Sequence, residues 1–129
     1  MRAHLSLLLA LVSMCSAVHA IETYAEAAVQ GKVDGTSSTH REWYVNEMRP
    51  SFNKVFGPAL NQCLRVASSA ETQNFGLVFT VTPEGVLKRA FWKTAGEFST
   101  CLEARLRAAS FPASPVPEFY FALEASFSR

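Results

Sequence analysis

The chain is short of the residues that most often carry chemistry. Its 129 residues hold three histidines, three cysteines and a single aspartate, Asp34. Charge of one sign is missing too: 12 Lys and Arg stand against 11 Asp and Glu, a net +1. A nucleic-acid binder usually shows a basic excess, so that class is disfavoured. No Gly-rich phosphate loop and no HExxH occurs. What the chain does have is apolar mass. It is 49% hydrophobic and 12% aromatic, with ten phenylalanines. That excludes a disordered chain and suits one domain with a real core.

The one long apolar run covers residues 5–18, after Arg2 and His4, and ends in Val18-His19-Ala20. It is shorter than the ~20 residues a membrane span needs. A weakly basic start, an apolar stretch and small residues at the exit predict a secretory signal peptide over residues 1–20. An uncleaved anchor and a lipoprotein signal on Cys15 are the alternatives. Removing the first 20 of 129 residues leaves 109, with no net charge, one histidine (His40) and two cysteines, Cys63 and Cys101. One His and two Cys do not make the usual four-ligand zinc site. A Ser-His-Asp triad would need His40 and Asp34, both in a polar stretch. Neither an enzyme nor a bound cofactor or metal is expected. In an exported chain a lone cysteine pair reads first as a structural disulfide; two buried free thiols and a reactive redox pair remain open.

Residues 21–29 suit a short helix. Residues 30–39, QGKVDGTSST, are rich in Gly, Ser and Thr without apolar periodicity, and read as a linker. The compact domain is therefore expected over residues 40–129, with 21–39 as an N-terminal segment and linker. Pro50 can open a helix. Phe52, Val55, Phe56, Ala59, Leu60, Cys63, Leu64 and Ala67 then form one helical stripe across Gly57-Pro58, where a kink or restart is expected. Residues 68–72 read as a polar loop. Phe75, Leu77, Phe79 and Val81 alternate as a strand. Thr82-Pro83-Glu84-Gly85 makes the turn into a return strand over residues 86–92, with Lys88 and Arg89 marking solvent. Thr94 to Glu97 has capping-box spacing. Phe98, Cys101, Leu102, Leu106 and Ala109 make a second helical stripe, with Arg105 at its margin. After Phe111-Pro112, residues 119–127 alternate as a last strand, preceded by prolines as edge strands often are. The prediction is an α+β fold in the order α-β-β-α-β: a small antiparallel sheet with two main helices on one face. Both cysteines fall on inward helix faces, so a bridge between the helices fits.

GLVFTVTPEGVLKRAF, then STCLEARLRAASFP, then a Phe-rich final strand resembles the C-terminal domain of TonB-type energy transducers, in the AgmX-like variety. Cys63, Cys101, Phe111-Pro112 and the TPEG turn match that variety's positions, over roughly residues 48–127. The resemblance implies a Gram-negative periplasmic setting and a non-enzymatic module. Its partner would be a periplasmic or envelope protein, or an extended peptide, bound by strand addition. A cleavable leader and a short following segment, in place of an anchor and long Pro-rich spacer, favour a free-standing adaptor without a transmembrane span in the mature chain. The resemblance places the binding edge on the last strand, at Phe119, Tyr120, Phe121, Ala122 and Leu123. Trp92 is either a partner anchor or a packing residue. Tyr120 either meets a peptide or lies on a solvated face. Lys88, Arg89 and Lys93 form a small basic cluster, by default a solvated face. The rival function is a periplasmic carrier of a small apolar ligand, held in a cavity lined by phenylalanines.

Overall fold

The computed structural model describes residues 20–125 and Phe127. The expected signal peptide lies, but for Ala20, outside the described residues.

The first element corrects the linker reading. Helix α1 runs Tyr24–Thr36, with the Thr23 hydroxyl accepting the Glu26 N–H at its start. Gly31 and Gly35 lower helix propensity, which is why the stretch reads as a linker. Tertiary packing overrides them. A Cβ on Gly31 would stand 2.7 Å from the Ala122 Cβ, so only glycine lets the helix come this close to the sheet. Folded structure therefore begins well before His40: the Ile21 carbonyl already accepts from Arg89.

Helical structure is then nearly continuous. Helix α2 (Arg41–Trp43) passes through a π-turn (Tyr44–Met48) into α3 (Arg49–Cys63). Pro50 thus sits near the start of α3 without opening a new helix, and α3 continues through Gly57-Pro58. Where α2 meets the π-turn, Trp43 and Tyr44 pack against Phe119 at ring separations of 4.9 and 5.7 Å. The stretch expected as a polar loop contains a short helix, α4 (Ser69–Gln73), capped by Ser68.

Strands β1 (Phe75–Val81), β2 (Leu87–Trp92) and β3 (Phe119–Ala125) form one antiparallel sheet in the order β2-β1-β3. The β1–β2 turn uses Gly85 at φ 76°, where the Phe111 carbonyl leaves no room for a side chain. Helix α5 (Glu97–Ala108) follows β2. Its cap is Gly96 with Ser99, not Thr94: the buried Glu71 carboxylate accepts the Phe98 and Ser99 N–H groups, and Thr94 bonds to the Asn74 carbonyl.

The α+β fold is as the sequence indicates, with α3 and α5 on one face of the sheet. Phe52, Phe75, Leu77, Phe79, Phe98, Leu102, Leu106 and Phe121 fill that layer. A disulfide joins Cys63 of α3 to Cys101 of α5, with Cα atoms 5.7 Å apart. The opposite face, expected to be solvated, is covered by α1. Ala27 packs there with Val78 and Tyr120. Covered on both faces and paired on both edges, β1 is buried at all seven positions.

Candidate functional site

The sheet order makes β3 an edge strand. Its free side follows from the hydrogen-bond alternation of antiparallel pairs. The Lys93 N–H donates to the Gly76 carbonyl, so the even residues of β1 bond to β2 and the odd ones to β3. On β3, Phe119, Phe121 and Leu123 therefore turn their main-chain groups toward β1. Tyr120, Ala122 and Glu124 turn theirs outward.

That outward edge is divided. At one end the Tyr120 N–H donates to Asp34 Oδ2 of α1 at 2.9 Å, while Gln30 Nε2 donates to Oδ1 at 2.8 Å. At the other end, Ala122 and Glu124 border a groove of about 540 Å³. One wall is α1, through Tyr24, Ala28, Gly31, Lys32 and Gly35; the other is Tyr44 of the π-turn. The Tyr24 hydroxyl donates to Glu124 Oε1 at 2.7 Å. Burial, then the hydrogen bond and charge of Glu124, push the Tyr24 phenol above its ordinary pKa. The Lys32 ammonium has neither an ion pair nor a hydrogen bond among the described residues.

The expected binding residues separate by direction. Phe121 and Leu123 point into the α3–α5 layer, and Phe119, also buried, packs against Trp43 and Tyr44. The Tyr120 side chain is buried under α1, facing neither peptide nor solvent. Its hydroxyl accepts from Arg89 Nη2. Burial raises the Tyr120 phenol pKa, with Arg89 opposing and Glu118 and Asp34 assisting. Arg89 does not mark solvent either. It forms a two-pronged pair with Glu118 at 3.0 and 3.1 Å and reaches the Ile21 carbonyl at 2.9 Å. Trp92 is not brought to this edge. It sits on β2, the far side of β1, edge-on to Phe75, with its indole N–H donating to Glu103 at 2.9 Å.

Sequence reasoning missed Tyr24, Gly31 and Lys32, weighed Asp34 only as a triad member, and left Tyr44, with Trp43, between an exposed aromatic patch and packing under the sheet. The available signal was spacing: Tyr24, Ala27, Ala28, Gly31, Asp34 and Gly35 recur at helical intervals, but their small size hid the face. The phenylalanines that could have lined a ligand cavity lie on one another. Phe52 contacts Phe56, Phe79 and Phe121 at 4.6 to 5.7 Å. Among the described residues, no group of three or more His, Cys, Asp or Glu could hold a metal, and no helix is long and apolar enough to cross a membrane.

Fold and site together define a small disulfide-bonded α+β domain with a half-open sheet edge. No family model, curated protein or solved structure matches the chain.

Proposed function

We propose that this chain is an exported binding module that takes an extended segment of a partner protein as a fourth strand beside β3. The observation that carries the reading is the outward main chain of Ala122 and Glu124, which borders a groove of about 540 Å³. Edge N–H and C=O groups supply affinity without special side chains, and pockets beside them supply selectivity. The resemblance to the TonB-type C-terminal domain, with its paired cysteines and TPEG hairpin, supports the same mode. The leader-like first 20 residues and the disulfide suit a periplasmic adaptor in an oxidising compartment.

The test uses a peptide selected from a displayed library against the folded domain. Ala122→Pro removes an outward N–H while leaving the β1–β3 ladder intact. Binding should fall below detection with the far-UV circular dichroism unchanged. The same peptide methylated on alternate backbone nitrogens should bind the unaltered domain in one phase only. Equal binding of both methylated forms, or full binding by a folded Ala122→Pro variant, refutes strand addition.

A further inference from the structure

Resting on the strand-addition reading, we infer that the segment paired with β3 bears an Asp or Glu side chain at the end of the groove nearest Lys32, and none beside Glu124.

The groove wall on α1 is made of small residues, Ala28, Gly31 and Gly35, so a chain lying there can approach the strand edge closely. Among them stands one exposed cation, Lys32, whose ammonium is unpartnered among the described residues. The two acids nearby are already engaged. Asp34 is held by Gln30 and the Tyr120 N–H, and Glu124 by the Tyr24 hydroxyl. Lys32 is therefore the charged side chain at the groove that has no protein partner among the described residues.

Position along the groove matters as much as sign. Glu124 is fixed at the Tyr24 end of α1. Lys32 lies eight residues further on, roughly 12 Å along the helix axis at 1.5 Å per residue. That matches about three to four residues of extended strand. As an offset along α1 it exceeds the ~8 Å screening length at physiological salt, so a carboxylate at one end feels mainly the charge at that end. A carboxylate beside Glu124 is repelled, whereas one four residues away, on the same face of the added strand, meets Lys32. Asp34, by occupying the Tyr120 N–H, stops the added strand at that same end.

The test uses the full chain and octapeptides of alternating Thr and Val, acetylated and amidated, with a fluorescent label. Each carries Glu, Gln or Lys at one position, scanned along the peptide, and binding is read by anisotropy. Glu should be favoured over Gln by about threefold at one end only, the scale of an exposed ion pair. Lys32→Gln should abolish that preference, Lys32→Glu should invert it toward the Lys peptides, and about 1 M salt should erase it. Equal binding of Glu and Gln peptides at every position overturns the inference while leaving strand addition standing. So does a preference that survives Lys32→Gln. Failure of every peptide to bind, or undiminished binding by Ala122→Pro, overturns both.

Discussion

Asp34 does at the sheet edge what a partner's carbonyl would do: it accepts the Tyr120 N–H and closes that rung. Its reach depends on how near α1 lies to β3, and Gly31 sets that distance. Replacing glycine by alanine inside a helix normally stabilises it by roughly 0.5–1 kcal/mol, by limiting the unfolded chain. Here the new methyl would stand 2.7 Å from the Ala122 Cβ, an atom fixed to strand backbone that cannot rotate away. Overpacking of that kind costs about 1–3 kcal/mol, so it wins. Gly31→Ala should lower the urea midpoint, whereas Gly57→Ala, whose Cβ meets nothing within 4 Å, should not. A stabilised Gly31→Ala variant would show that α1 does not sit as described. None of this was legible in QGKVDGTSST. Composition alone cannot separate a glycine that loosens a chain from one that lets two backbones meet.

At the scale of elements, the strands and the two large helices could be read from periodicity, because each buries a continuous stripe. The capping of α5 could not. Thr94 and Glu97 have the right spacing, yet the groups that satisfy the helix start are Ser99 within it and Glu71 from another helix. A carboxylate arriving from 27 residues away leaves no local signature. The disulfide lies between these extremes: two inward cysteines suggested it, and the structure joins them across the hairpin. At a sequence separation of 38, loop-closure entropy gives about 4 kcal/mol, a model-dependent figure. Net stability of a small domain is about 5–15 kcal/mol, so this is a large share. The Cys63→Ser, Cys101→Ser double variant should lose roughly 2–4 kcal/mol in urea denaturation. Reductant should shift the unaltered protein by a similar amount and the double variant not at all. If reductant leaves the unaltered protein's midpoint in place, the bridge does not staple the fold.

For the molecule as a whole, the layer the sequence did not announce carries a dependence on high pH. Two phenols whose pKa values are raised, Tyr24 and Tyr120, both lie in the α1 layer. Tyr24 ties α1 to Glu124, and Tyr120 receives Asp34 on its main chain and Arg89 on its ring oxygen. A raised phenol pKa means that the folded state holds its proton more tightly than the unfolded chain does. Between the unfolded value, about 10, and the higher folded one, the native state binds more protons, so unfolding free energy falls as pH rises. The stabilisation is complete below about pH 10 and is lost above it. Tyr24→Phe removes one of these protons together with its bond to Glu124. The variant should be somewhat weaker at neutral pH, and its urea midpoint should decline less steeply between about pH 10 and 11. A decline as steep as that of the unaltered protein would mean that Tyr24 is not held protonated against Glu124. The latch between α1 and the β3 edge, which also forms one end of the groove, would then need another explanation.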